Sequence, residues 1–118
     1  MVEMEGEGAE RRNLRVQVAL QIRFGSWEDV EHMIRVSTLN LSRGGMFICT
    51  GETRPKGQRV MVELPGSDGP VRIKGEIRHV RLMDGHPFGL GIEFDPMEEG
   101  ALKAVDEILR KVAGVEVP

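Results

Sequence analysis

Residues 71–94 read V-R-I-K-G-E-I-R-H-V-R-L-M-D-G-H-P-F-G-L-G-I-E-F. Val71, Ile73, Gly75, Ile77 and His79 fall on one face of an extended chain, and Arg72, Lys74, Glu76 and Arg78 fall on the other. Period-two alternation of this length predicts a long half-buried strand. Asp84 to Pro87 (D-G-H-P) turns the chain, and Phe88, Leu90, Ile92 and Phe94 alternate again. Two strands joined by a turn of this chemistry set the class of the fold as antiparallel β.

The same pattern extends toward the N-terminus. Val16, Val18, Leu20, Ile22 and Phe24 alternate with Gln17, Gln21 and Arg23 as a first strand, ended by Gly25-Ser26. Val30 to Leu41 alternates with Ile34 and Val36 on one face, and Asn40 to Gly45 (N-L-S-R-G-G) breaks it. Met46 to Cys49 is a short apolar strand, with Cys49 expected as a buried core thiol. Arg54 to Gly57 (R-P-K-G) turns into a strand marked by Val60, Val62 and Leu64, and Pro65 to Pro70 (P-G-S-D-G-P) is a loop of breakers. Six short strands with turn chemistry between them predict an all-β fold, a six-stranded antiparallel β-barrel.

After Phe94 the period changes. Asp95-Pro96-Met97-Glu98 puts Asp at an N-cap, Pro at the first helical position and Glu at the third. Ala101, Leu102, Val105, Ile108, Leu109 and Val112 follow at helical spacing, which predicts a C-terminal helix over 96–113 packed on the barrel or a partner. Residues 1–9 (M-V-E-M-E-G-E-G-A) are acidic and Gly-containing and read as a disordered leader, leaving 10–113 as one domain.

Composition narrows the function. Sixteen Lys and Arg stand against 19 Asp and Glu, a net charge of −3 in 118 residues, so a polymeric nucleic acid is not the expected partner. Four Phe, one Trp and no Tyr do not make a base-stacking platform. No apolar run reaches the roughly 20 residues needed to span a bilayer. The N-terminal segment lacks the basic and apolar regions of a signal peptide, so the cytoplasm is expected, with no membrane insertion. One cysteine excludes an intrachain disulfide and a thiolate zinc site. His32 and His79 read as strand residues and His86 as a turn residue, none at metal-ligand spacing. There is no Walker loop, and Gly89-Leu90-Gly91 is not followed at once by a helix. No metal, no catalytic residue and no cofactor are expected.

Two segments remain. Arg11-Arg12-Asn13-Leu14-Arg15 contains R-x-x-x-R as Arg11 and Arg15, and Asn40-Leu41-Ser42-Arg43-Gly44-Gly45 reads N-x-S-x-x-G. Arginine can hydrogen-bond guanine O6 and N7 in pairs, stack on a purine, or grip phosphate oxygens. Asn and Ser add base-edge and phosphate contacts, and Gly45 permits close backbone approach. Ser42, beyond a strand end among glycines, is expected exposed at the barrel mouth.

In this order, on this strand pattern, the two segments resemble the bipartite signature of the PilZ family, with G-L-G-I-E-F resembling its closing strand. The resemblance covers about residues 10–94. It implies a PilZ-like barrel whose ligand is cyclic di-GMP, with Arg11, Arg12, Arg15, Asn40, Ser42, Gly44 and Gly45 as ligand-binding residues. It implies a receptor and not an enzyme, acting through an unidentified protein partner in motility, surface-structure assembly or development. The alternative is a ligand-independent adaptor on the same fold; a small nucleic-acid-binding barrel is a weaker third reading.

Overall fold

The computed structural model describes residues 2–3 and 15–113. In chain order the elements are β1 (Val2–Glu3), β2 (Arg15–Gln17), β3 (Gln21–Ser26), a 3₁₀ turn (Val30–His32), β4 (Ile34–Leu41), β5 (Gly45–Cys49), β6 (Arg59–Leu64), β7 (Val71–Met83), β8 (His86–Phe94) and α1 (Glu99–Ala113). Strands β3, β6, β7, β8, β5 and β4 pair antiparallel in that order, and β4 pairs back with β3. The six-stranded antiparallel barrel is therefore closed, which leaves these strands no free edge. β1 pairs with β2, so Val2–Glu3 depart from the expected disordered leader; the rest of residues 1–9 lie outside the described residues.

The inward faces of the alternating strands make one core. Phe24, Leu41, Ile48, Val60, Leu64, Ile77 and Leu90 are all fully enclosed. Ala101, Val105, Ile108 and Leu109 of α1 complete it. Among the described residues no helix is long and apolar enough to cross a membrane.

Four local expectations are corrected. The first strand is interrupted. β2 and β3 both pair with β4, but the register slips by one residue between them. The Thr38 hydroxyl fills the gap, donating to Val18 O at 2.6 Å and accepting from Leu20 N at 3.0 Å. Val30–His32 form a 3₁₀ turn and not the start of β4, with the His32 ring against Asp29 at 2.7 Å. The helix starts at Glu99 and not Pro96. Asp95 is still tied to the sheet through its N–H to Lys74 O, its carboxylate takes Arg59, and Glu98 O accepts the first helical bond from Leu102 N at 3.0 Å. Cys49 is exposed, because β5 buries Met46 and Ile48 and turns Cys49 to the opposite side.

Candidate functional site

The outer wall formed by β5, β8 and β7 is shaped by missing side chains. Register aligns Phe47, Gly91 and His79 in one row, and Cys49, Gly89 and Arg81 in the next. Without Cβ atoms, β8 forms a trough between larger neighbours. A Cβ on Gly89 would fall 2.3 Å from the Phe47 ring, and one on Gly91 would fall 3.0 Å from His79 Cδ2. The Arg81 guanidinium sits 5.9 Å from the Phe47 ring centroid.

His79 was expected on the inward face. β7 carries a bulge between Ile77 and His79, where Ile77 N and O bond Gln58 O and Gly57 N. The extra residue reverses the alternation, so His79 and Arg81 face out over β8.

A cavity of about 540 Å³ opens on this wall. Of the residues anticipated from sequence, Arg15, Ser42, Gly44 and Gly45 line it. Lys56, Arg78, His79 and Arg81 join them, giving four fixed cations against the single carboxylate of Glu93. Arg78 is held by Glu76 at 3.5 Å and Glu93 at 3.3 Å. Asn40 stands beside the cavity, paired with Phe47 across β4 and β5, and its Oδ1 is buried with no donor among the described residues. Arg11 and Arg12 lie outside the described residues. Sequence reasoning missed Lys56, Arg78 and Arg81 because they lie in a turn and a strand remote from both motifs.

Ser42 corrects its expectation most sharply, being 1% exposed. Its Oγ accepts from Gly44 N at 3.1 Å and Gly45 N at 3.2 Å and donates to Gly45 O at 3.3 Å, while Ser42 N bonds Gly45 O at 2.9 Å. The hydroxyl knits the turn, and Gly44 O then accepts from Phe94 N at 2.8 Å to anchor it on β8. Ser42→Ala is therefore expected to cost about 1–3 kcal/mol of stability, the usual penalty for orphaned buried donors. Urea unfolding measures this; an unchanged midpoint would mean the two amides find other acceptors.

Arg43, in the same turn, points to α1. Its Nε and Nη2 bind Asp106 Oδ1 and Oδ2 at 2.8 and 2.7 Å. The bidentate hydrogen bonds to Asp106 raise the Arg43 pKa above its ordinary value. The turn is thus fixed on one side to β8 and on the other to the helix.

Among the described residues no group of His, Cys, Asp and Glu is placed to hold a metal ion. The arrangement is one for gripping an anionic, flat-faced molecule: cations around a trough bordered by an aromatic ring.

The comparisons agree with this architecture. The PilZ domain family matches residues 9–111. The inhibitor of motility MotI/DgrA of Bacillus subtilis superposes with a TM-score of 0.66 at 17% identity, covering 88% of this chain and 52% of MotI. The PilZ domain of YcgR from Escherichia coli, solved with c-di-GMP, gives 0.58 at 18% identity over 90% of this chain and 98% of that one. MrkH of K. pneumonia, in complex with c-di-GMP, gives 0.65 at 13% identity over 87% of this chain and 52% of its own. The chain thus spans about half the length of MotI and of MrkH. A search among curated protein sequences finds no match. With the family matched over most of its length and the closed barrel and helix in place, the chain belongs to the PilZ domain family.

Proposed function

We propose that the chain is a cyclic di-GMP receptor module, not an enzyme, that passes the signal to a protein partner in the cytoplasm. The observation that carries this reading is the convergence of Arg15 and the Ser42–Gly45 turn with Lys56, Arg78 and Arg81 around one cavity, in a chain of net charge −3. Two phosphates need cations, and guanine needs donors and a flat neighbour. In this proposal the arginines of R-x-x-x-R, Arg11 and Arg15 with Arg12 beside them, close over the bases. The buried Asn40 Oδ1 accepts from a guanine N–H, since a buried acceptor left unpaired costs stability. Ser42, Gly44 and Gly45 present the turn to a phosphate. Motility, surface-structure assembly and development are the processes such a signal would serve.

Calorimetric titration with cyclic di-GMP tests the proposal. Wild type binds, and Arg15→Ala loses about 1–3 kcal/mol of affinity, the worth of a bidentate base contact. Its melting temperature stays near that of wild type. Equal affinity in both chains would remove Arg15 from the site.

One observation favours the ligand-independent adaptor. Glu93 stands inside the cavity and already occupies Arg78. The adaptor predicts no rise in melting temperature with the nucleotide, whereas a ligand that binds only the folded chain must raise it.

A further inference from the structure

A second charged feature lies on the wall of β4, β3 and β6, away from the cavity. Register lays Arg35, Arg23, Glu63 and Arg72 in one row across β4, β3, β6 and β7. The one carboxylate is used twice: Glu63 Oε1 accepts from Arg23 Nη1 at 3.2 Å and Oε2 from Arg72 Nε at 3.1 Å. Arg35 stands directly opposite Arg23 and has no carboxylate partner among the described residues.

Like charges facing each other on neighbouring strands cost stability. The barrel compensates another such pair internally: Glu76 and Glu93 face each other across β7 and β8, and Arg78 bridges them. Arg23 and Arg35 receive no bridge. Both line a groove of about 470 Å³, with Gln21 beside them and Pro65, Gly66 and Pro70 as its other wall.

We propose that this groove docks an extended acidic segment of a partner protein. Two arginines directly opposite on neighbouring strands, with Cβ atoms about 5 Å apart, offer guanidinium forks to carboxylates borne by one peptide. The local excess of positive charge runs against the net charge of −3, so it attracts an acidic segment to this wall. A nucleic-acid strand fits less well. Glu63 lines the groove and opposes a continuous phosphate backbone, and no aromatic side chain lines it for base stacking. The inference goes beyond nucleotide binding and does not depend on it.

The test uses the full chain without nucleotide and a fluorescein-labelled octa-glutamate peptide, followed by anisotropy at low ionic strength. Wild type binds saturably. Arg35→Glu replaces the repulsive pair with an attractive one, so it raises the melting temperature while weakening peptide binding roughly tenfold or more. Arg110→Glu, exposed on α1 and equal in charge change, leaves binding within about twofold. Absence of peptide binding overturns the proposal. So does equal loss in the two variants, or a higher melting temperature with peptide affinity intact. Tighter binding of a labelled single-stranded oligonucleotide, abolished by Arg35→Glu, would assign the wall to nucleic acid instead.

Discussion

Gly45→Val is expected to yield a chain that no longer closes its barrel. Gly45 opens β5 and pairs with Glu93 on β8. A Cβ built at this position falls 2.1 Å from Ile92 O, far inside van der Waals contact. The obstructing atom is backbone, in the middle of a ladder, so no rotamer change relieves it. β5 is also the strand that joins β4 to β8, and it is five residues long. The substitution should cost more than about 4 kcal/mol, the range kept for severe core disruption. A domain of this kind has roughly 5–15 kcal/mol in total. Urea unfolding followed by circular dichroism should show the transition displaced to very low denaturant or absent. A cooperative transition near that of wild type would mean that β5 and β8 are not packed this closely. The result bears on function too. The last glycine of N-x-S-x-x-G is required by strand packing before any ligand arrives, so lost binding in a Gly45 variant does not locate the ligand.

What could be read from sequence is what depends on near neighbours. The hairpin of β7 and β8 is fixed by alternation and by Asp84-Gly85, both at positive φ, 51° and 79°, so that Met83 pairs with His86. The Ser42–Gly45 turn and Arg15 are visible for the same reason: each belongs to a short motif. The break between β2 and β3 was not legible, because its cause is Thr38, a side chain brought up by a different strand. The outward turn of His79 and Arg81 was hidden in the same way. It rests on a bulge held by Gly57 and Gln58, whose approach to Ile77 exists only once the barrel forms. The helix start followed a sound local signal and lost to tertiary contacts, since Arg59 and Lys74 hold Asp95 against the sheet.

The candidate site divides along the same line. Its basic side chains come from β2, from the turn before β6 and from the far half of β7, which barrel closure alone brings together. Ser42 looked like an exposed ligand donor because its surroundings in sequence are polar and Gly-rich. Its hydroxyl is turned back onto Gly45 O within the turn, and the turn is pinned to β8 by Phe94 N on Gly44 O, a contact that sequence spacing does not show. The motif is thus a device for building a rigid turn as much as a set of contacts, and Arg43 extends that rigidity to α1 through Asp106.

Gly91→Val should have the opposite character to Gly45→Val: a folded chain with no ligand site. Gly91 lies on β8 in the floor of the cavity, with Phe47 on one side and His79 on the other. A Cβ here meets His79 Cδ2 at 3.0 Å and His79 Cβ at 3.1 Å. The ring contact is to an exposed side chain that can tilt toward solvent, and the contact to Cβ needs a shift of a few tenths of an ångström between β7 and β8. The overpacking cost is about 1 kcal/mol, partly offset by the better strand propensity of valine over glycine. The branched side chain would then rise where a base is proposed to lie. Affinity for cyclic di-GMP should fall at least about a hundredfold, near 3 kcal/mol. Gly51→Val serves as the control, since that exposed glycine meets nothing closer than Pro87 O at 4.0 Å, and its variant should bind as wild type does. Titration calorimetry with a melting curve on each variant separates the two effects. If Gly91→Val melts normally and still binds, the nucleotide does not lie on the outer face of β8, and the cavity is not its site.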